Sequence, residues 1–193
     1  MNNGRLKRFV SIGMLSSIAY VLMMLNFPFP GFPTFLLVDF SDIPALVGAI
    51  LFGPLAGIII ELIKNILDYF ITGSETGIPI GHAANFTAGI FFILPTYYIY
   101  QRMKSTRGMT VALVVGTLSM AVSMSILNYF VFLPAYTFFL NMPAMSGPEA
   151  RQFIVSAIFP FNVVKGLLIT FVFTLIFIRL QYWLNKQSVI HGA

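Results

Sequence analysis

The sequence predicts an all-α integral membrane protein with six transmembrane helices. Three observations predict it: 58% of the 193 residues are hydrophobic, only 9% are charged, and long apolar stretches recur along the whole chain. A small soluble domain leaves much of its surface exposed, so it cannot bury this many apolar residues, and ordinary soluble domains carry about 25% charged residues. The composition excludes a soluble globular protein and a disordered chain. We expect one transmembrane domain over residues 1–193.

The first predicted helix covers about residues 9–27 and follows a basic segment. Its apolar run exceeds the ~7–15 residues of a signal peptide, and no small-residue cleavage site follows, so we expect the helix to be retained. Residues 26–33, with the sequence NFPFPGFP, contain three prolines and a glycine, which cannot continue a helix. We expect a stiff, aromatic-rich loop that reaches about residue 41.

The second apolar stretch, residues 42–71, is too long for one simple span. Thirty helical residues would measure about 45 Å, against a hydrocarbon core of about 30 Å. Gly53 and Pro54 stand in its middle, and this pair is typical of a helix end followed by a helix start. Local sequence alone permits one kinked helix or two short helices over residues 42–53 and 54–71.

Three further helices are predicted at about residues 80–100, 109–133 and 152–182. We expect Pro134 to end the fifth helix, because proline lacks the amide donor that a helix needs. Residues 134–151 are then predicted to form an aromatic loop. Pro160 lies inside the sixth helix, where it should kink the helix or mark a change of pitch.

Basic residues decide between one and two spans in residues 42–71. Cytoplasmic loops of membrane proteins are enriched in Lys and Arg, and two spans place three acid-free basic clusters on the same side of the membrane. We therefore predict six spans with both termini cytoplasmic, and we attribute the net charge of +5 to orientation rather than to nucleic-acid binding. The clusters are Arg5/Lys7/Arg8, Arg102/Lys104/Arg107 and Arg179/Lys186, and the acids near the other loops are Asp39, Asp42, Glu75 and Glu149.

This topology places loops 28–41, 72–79 and 134–151 outside, and all three are longer than a helix connection requires. Their aromatic residues exceed what membrane anchoring needs, so we expect a site that faces the exterior. These aromatic residues include Phe29, Phe32, Phe35, Tyr136 and Phe139.

Ionisable residues within a span are candidates for function, because each costs about 2.5–3.5 kcal/mol at mid-bilayer. Glu61, Lys64, Asn65 and Asp68 are spaced i, i+3, i+4, i+7 and share one helix face. The first interpretation is an ion-pair ladder that holds a short helix in the bundle. A proton relay or a polar wall for a solute is the alternative.

Asn162 and Lys165 share a face of the sixth helix, and Asn128 lies near the outer end of the fifth. Lys165 could snorkel to the membrane interface. Alternatively, an amide and an ammonium beside Phe159 and Phe161 suit a planar, hydrogen-bonding ligand, since amides both donate and accept. We favour the second interpretation.

Sequence motifs give no support for catalysis. The chain lacks cysteine, HExxH, GxSxG and Walker patterns, so we expect no enzyme activity, no metal site and no cofactor. Gly13 and Ser17, four residues apart on the first helix, would allow another helix to approach closely. That helix could belong to this bundle or to a partner.

Six short stretches together resemble one family along nearly the whole chain. They resemble the riboflavin-specific substrate-binding components (S components) of energy-coupling factor (ECF) transporters, of the RibU type. The resemblance implies six helices with both termini inside, a vitamin bound near the outer face, and no ATPase of its own. It also implies that a transmembrane coupling subunit and two cytoplasmic ATPases drive uptake. The stretches are residues 25–28 (LNFP), 38–45 (VDFSDIPA), 52–57 (FGPLAG), 61–65 (ELIKN), 125–129 (SILNY) and 161–166 (FNVVKG).

The resemblance also implies site residues. It places the contacts to the flavin ring on Asn128, Asn162 and Lys165. The ribityl hydroxyls are expected to contact the first loop and the start of the fourth helix. The first loop is also expected to act as a lid over the ligand. In this family the first helix carries an Ala-x-x-x-Ala pattern against the coupling subunit, where this chain has Gly13 and Ser17. The expected ribityl contacts are Leu37 and Asp39 in the first loop and Gly81, His82 and Asn85 at the start of the fourth helix.

Two other functions stay open at this point. A stand-alone secondary transporter of a small aromatic solute could couple to protons through Glu61, Lys64 and Asp68, although six helices without an evident inverted repeat are few for that class. An enzyme acting on lipid is the third possibility, and the missing catalytic motifs disfavour it.

Overall fold

A computed structural model describes residues 3–74, 77–140 and 143–191, with side chains from residue 5 to residue 179. Glu75 and the side chain of Lys186, which were part of the charge prediction, lie outside the described residues. The described chain is almost entirely helical, which confirms the predicted all-α class. Three helices are long and apolar enough to cross a membrane, namely Arg5–Met24, Thr106–Phe139 and Gly147–Arg179.

Six continuous helical segments make up this part of the chain. Each predicted helix is present, with ends shifted by a few residues, and two segments contain a π-helical turn. The segments are α1 (Asn3–Met24), α2 (Asp42–Phe52), α3 (Pro54–Thr72) and α4 (Ile80–Met103), then α5 (Thr106–Leu127) joined through the π turn Asn128–Phe132 to α6 (Leu133–Phe139), and α7 (Gly147–Phe153) joined through the π turn Ile154–Ile158 to α8 (Phe159–His191).

The break between α2 and α3 lies at Gly53, as predicted. Gly53 has φ +95°, a conformation that side chains other than glycine rarely adopt, and its N–H bonds to the Ala49 carbonyl at 2.9 Å to end α2. Pro54 then occupies the first turn of α3, where its missing N–H costs nothing. Residues 42–72 therefore form two helices rather than one kinked helix.

The prediction that Pro134 ends the fifth helix is wrong. A π turn precedes the proline, and the Leu133 N–H bonds to the Asn128 carbonyl, five residues back. The wider turn changes the backbone pattern next to a residue that cannot donate, so the helix continues through α6 to Phe139. Pro160 is preceded in the same way by the turn Ile154–Ile158, which confirms the predicted change of pitch.

The predicted loop over residues 134–151 is therefore wrong in two places. Residues 134–139 belong to α6, and residues 147–151 belong to α7. Ser146 begins α7 with a capping box, in which its side chain and backbone pair reciprocally with Glu149. Serine and glutamate three residues apart were the sequence signal for this helix.

The first loop contains a short β element that helix-based reasoning did not predict. Strand β1 (Phe27–Pro28) pairs antiparallel with β2 (Leu37–Val38), with Phe27 opposite Val38. The pair closes the proline-rich segment into a compact hairpin above the start of α2. Leu37 and Asp39 are placed by this pairing.

The bundle packs α4 along α5 and α5 along α8, while α3 lies between α1, α2 and α4. Small residues allow close approach: a Cβ added to Gly116 of α5 would lie 2.7 Å from the Phe92 carbonyl of α4. The apolar core includes Leu46, Ile60, Phe92, Leu113, Met120, Ile169 and Phe173. Large apolar side chains also cover the outside, for example Phe70, Phe130 and Phe171, as expected for a chain surrounded by lipid.

Candidate functional site

A cavity of about 380 Å³ lies between the first loop, α3, the start of α4, the end of α5 and the start of α8. All eight side chains and backbone positions expected to contact a ligand line this one cavity. Its volume falls within the ~300–1,000 Å³ typical of small-molecule pockets. The residues are Leu37, Asp39, Gly81, His82, Asn85, Asn128, Asn162 and Lys165.

Lys165 is buried, with 4% of its surface exposed, and its Nζ forms an ion pair with Asp39 Oδ2 at 2.9 Å. The alternative that Lys165 snorkels to the interface is therefore wrong. A buried carboxylate offers the ammonium a stronger partner than a distant interface does. The two charges, 126 residues apart in sequence, fasten the first loop to α8.

Aromatic contacts hold the same loop against α7 and α8. The Phe32 ring meets Phe161 edge-on at a centroid distance of 5.7 Å, and Phe35 meets Phe153 at 6.2 Å. Offset and edge-on pairs contribute about 0.5–1.5 kcal/mol each beyond their buried area. One ion pair and two ring contacts thus close the cavity on the side of the loop.

Asp39 stays ionised although it is buried. Burial by itself raises the pKa of the Asp39 carboxyl, but the charges of Lys165 and Lys64 and the Ser41 hydroxyl outweigh burial and hold the pKa well below its ordinary value. The Ser41 backbone N–H donates to Asp39 Oδ1 at 2.9 Å, and the Ser41 hydroxyl donates to the same oxygen. The loop therefore presents a fixed anion to Lys165.

Asn128 and Asn162 stand beside the two π turns, one at the start of the first turn and one after Pro160. Each side-chain amide donates to a backbone carbonyl four residues back, Asn128 to Met124 and Asn162 to Ile158, both at 2.8 Å. These bonds fix the side-chain orientation and leave each amide oxygen as an acceptor. Both amides are at least nine-tenths buried and line the cavity.

The start of α4 supplies further buried polar atoms to the cavity. His82 Nε2 lies 3.0 Å from Asp68 Oδ2. In the described part of the chain, His82 Nδ1 and Asn85 Oδ1 are buried without a hydrogen-bond partner. Gly81 lies against the Tyr136 hydroxyl, so close that an added Cβ would be 3.1 Å from it.

Several cavity residues were missed by sequence reasoning. Asp68 was placed on a charged helix face but not in the site, and Tyr136 was counted only as a loop aromatic. Met124 lies one turn before Asn128, and Phe161 is next to Asn162, so helical spacing could have found both. Nothing local to their sequence marks Met23, Asn26, Thr34 or Thr72, which also line the cavity.

The four polar residues of α3 do lie on one buried face, as predicted. They divide into two groups rather than forming one ladder. Lys64 pairs with Glu61 at 2.9 Å and with Asp42 of α2 at 2.5 Å, whereas Asp68 pairs with His82 of α4. Only Asp68 lines the cavity, so Glu61 and Lys64 do not form a wall for a solute there.

Gly13 and Ser17 face outward on α1. Both are exposed, and nothing in the described structure lies within 4 Å of a Cβ added to Gly13. The neighbouring small residues Ser16 and Ala19 are the ones buried in the bundle. Within the part of the chain that the structure describes, the Gly13–Ser17 pair is therefore not used in packing.

A second concavity of about 660 Å³ lies beside α7, lined by Pro143, Met145, Glu149 and Phe153 among others. It is open, and its carboxylate is occupied by the capping box with Ser146. None of the residues expected at the site lies there. The residues expected at the site lie instead in the cavity of about 380 Å³.

Residues 7–177 match the family model of the ECF transporter substrate-specific component. A riboflavin transporter named FmnP from Bacillus subtilis (strain 168) is 51% identical over 187 residues, covering 97% of this chain and 98% of the relative. A riboflavin transporter named RibU from Staphylococcus aureus (strain TCH60) is 42% identical over 186 residues, covering 96% of each. A solved S component of a bacterial ECF transporter matches with a TM-score of 0.79 and 42% identity, covering 93% of this chain and 98% of that one.

Proposed function

This chain belongs to the family of substrate-specific components of ECF transporters, and we propose that it is the component that binds riboflavin for uptake. The observation that carries the proposal is the cavity in which Asn128, Asn162 and Lys165 meet. Riboflavin is the proposed ligand because both named relatives are riboflavin transporters, one of them identical at 51% of aligned positions.

The flavin ring is planar, largely apolar, and carries an imide edge with one N–H donor between carbonyl acceptors. Lys165 has three donors and uses one on Asp39, so two are left for ring carbonyls. The amide oxygens of Asn128 and Asn162 can accept from the ring N–H. Ile158, Phe161 and Met124 supply apolar walls for the rest of the ring.

The ribityl chain carries hydroxyl groups, which can donate to unpaired acceptors. Asn85 Oδ1 is such an acceptor, and so is His82 Nδ1 when His82 is neutral and donates from Nε2 to Asp68. A buried polar atom without a partner costs about 1–3 kcal/mol, which a ligand hydroxyl would recover. Leu37, Asp39 and Gly81 complete the surface along which this chain would lie.

The first loop is proposed to act as the lid over the ligand. Opening it requires breaking the Asp39–Lys165 pair and the contacts of Phe32 and Phe35 with α7 and α8. Because Lys165 would contact both the lid and the ring, ligand binding and lid closure would be linked at one ammonium group.

In the membrane we propose six crossings with both termini cytoplasmic, in a bacterial plasma membrane. The basic residues near the ends of α1, α4 and α8 support this orientation. A transmembrane coupling subunit and two cytoplasmic ATPases would drive uptake, so ATP hydrolysis would not belong to this chain. The exposed small residues Gly13 and Ser17 on α1 are the proposed contact for the coupling subunit.

Riboflavin titration of the purified protein in detergent tests the proposal. We expect saturable binding and quenching of flavin fluorescence. Asn128→Ala and Lys165→Met should each weaken binding at least tenfold, about 1.4 kcal/mol. Asn65→Ala is the matched control, because Asn65 also donates to a carbonyl four residues back, at 2.8 Å, but does not line the cavity.

Protein that takes up no riboflavin would contradict the ligand, and full affinity in both cavity variants would contradict the site. Family membership favours a binding component over the stand-alone proton-coupled transporter. Riboflavin uptake by this chain alone in liposomes, driven by a pH gradient without ATP, would reverse that preference.

A further inference from the structure

A second group of buried charges lies outside the cavity, where α2, α3 and α4 meet. The Lys64 ammonium contacts Asp42 Oδ1 at 2.5 Å, Glu61 Oε2 at 2.9 Å and the Ser41 hydroxyl at 2.6 Å. Lys64 and Glu61 are fully buried, and Asp42 is 1% exposed. We call Asp42, Glu61 and Lys64 the Lys64 cluster.

The charges of the Lys64 cluster do not balance if all three groups are ionised. The neighbouring charged residues cannot supply the missing positive charge. Asp39 of the first loop and Lys165 of α8 form their own ion pair, and Asp68, one turn further along α3, pairs with His82 of α4. Two carboxylates would thus share one ammonium, and an uncompensated buried charge is costly.

The cluster has acceptors without donors. Among the described residues, Asp42 Oδ2, both Glu61 carboxyl oxygens and Asn65 Oδ1 are buried and make no hydrogen bond, although Glu61 Oε2 forms an ion pair with Lys64. The amide nitrogen of Asn65 is engaged with the Glu61 backbone carbonyl, so it does not donate to either carboxyl group. The carboxyl groups of Asp42 and Glu61 are neighbours, because both contact the Lys64 Nζ, at 2.5 Å and 2.9 Å. One proton between them would satisfy two of these oxygens.

The helix opposite Glu61 leaves no space for another donor. Gly89 of α4 faces the carboxyl group so closely that an added Cβ would lie 2.4 Å from Oε2 and 3.1 Å from Oε1. The backbone of α4 at Gly89 covers this side of the Glu61 carboxyl group, and its N–H groups bond to carbonyls within α4. The α4 backbone therefore closes this side of the cluster to a further donor.

We propose that Glu61 holds a proton at neutral pH and donates it to Asp42, which makes the Lys64 cluster a proton-binding site with no net charge. Asp42 is the ionised member because it has the shorter contact to Lys64 and lies in the first turn of α2, where the helix dipole favours an anion. Glu61 lies in the middle of α3 and has neither advantage. The site does not depend on the identity of the transported ligand.

The proposal predicts proton uptake on folding. Glu61 in the unfolded chain has an ordinary pKa of about 4.3 and is ionised at neutral pH, so the folded state holds one proton more. Stability must then fall as pH rises, and the unfolding equilibrium constant should increase about tenfold per pH unit between roughly pH 6 and pH 8 because of this proton. The measurement is unfolding of the ligand-free protein in detergent at several pH values.

Glu61→Gln is the decisive variant, because glutamine keeps the shape and the donor of a neutral acid. In this variant the unfolding equilibrium constant should no longer show the tenfold increase per pH unit that the Glu61 proton gives the unmodified protein. Glu149→Gln, which removes an exposed carboxylate, should keep the full dependence. An unchanged slope in Glu61→Gln, or a slope that follows sodium concentration, overturns the proposal.

A second comparison separates the two carboxyl groups. At pH 7, Glu61→Gln should unfold within a few degrees of the unmodified protein, whereas Asp42→Asn should unfold at a clearly lower temperature. Equal losses overturn the assignment. If neither variant folds, infrared spectra of protein labelled with ¹³C-glutamate decide: a carboxylic acid band that shifts with the label supports the proposal, and its absence at pH 7 overturns it.

Discussion

Two buried lysines, Lys64 of α3 and Lys165 of α8, reach toward the same short stretch of chain, residues 39–42, and end in different surroundings. The Lys64 ammonium is surrounded by three partners: it donates to Asp42 Oδ1 and to the Ser41 hydroxyl, and it forms an ion pair with Glu61 Oε2. Lys165 uses one donor on Asp39 and lines the cavity with the rest. The number of donors left over, rather than burial, separates a lysine that stabilises the fold from one that can bind a ligand.

Replacing Lys64 should give the largest effect, and it tests whether this lysine stabilises the fold. Lys64→Met leaves Asp42 and Glu61 buried without their cation, so we expect a loss of about 3–5 kcal/mol in the free energy of unfolding. Compared with Lys64→Met, Lys165→Met should reduce the free energy of unfolding less and should weaken riboflavin binding more. Unfolding and riboflavin titrations of both variants check this, and equal stability losses would break the comparison.

Substitutions of two glycines, Gly89 near Glu61 and Gly81 at the cavity, test the same division with smaller expected effects. Gly89→Ala drives a methyl group into the Glu61 carboxyl and should cost about 1–3 kcal/mol of stability, as overpacking does. Gly81→Ala places its methyl group by the Tyr136 hydroxyl at the cavity and should weaken riboflavin binding while stability changes by less than about 1 kcal/mol. The same pair of measurements applies, and the opposite pattern would contradict the division.

The smallest expected effect is a lack of pH dependence at the Asp39–Lys165 pair. The pKa of Asp39 is lower in the folded protein than in the unfolded chain, where it is about 3.9. Its stabilisation is therefore complete above roughly pH 5 and is lost only as pH falls below about 4. A double-mutant cycle with Asp39→Asn and Lys165→Met should give the same coupling energy at pH 8 and pH 5, within about 0.5 kcal/mol. A coupling energy between Asp39 and Lys165 that falls between pH 8 and pH 5 would contradict this prediction.

Helix positions and most of the cavity could be predicted from sequence because both depend on local patterns. Apolar runs gave six helical segments, Gly53 and Pro54 gave the break, and spacing together with the family resemblance gave Asn128, Asn162 and Lys165. The Asp39–Lys165 pair could not be predicted, since 126 residues separate its members. No local pattern indicates which of several buried charges will meet.

Pro134 shows a different limit. The rule that proline ends a helix assumes α-helical hydrogen bonding up to that residue, and the turn Asn128–Phe132 changes that pattern. Whether a helix can widen just before a proline depends on what surrounds it. In this chain the widened turn lies at the cavity, where Asn128 begins it.

The two π turns also determine where these helices can lose a residue. A π turn takes up about one residue more than an α turn, and one residue corresponds to about 100° of rotation around an α-helix. Deleting any single residue within Asn128–Phe132 would let the turn close to α pitch and keep the helix intact. Because the residue removed is the one that a π turn has in addition to an α turn, the segment beyond it, including Tyr136, would keep its direction. The same deletion within a regular α-helical turn would rotate everything beyond it by about 100°. Deletions inside and outside these two turns should therefore be tolerated very differently.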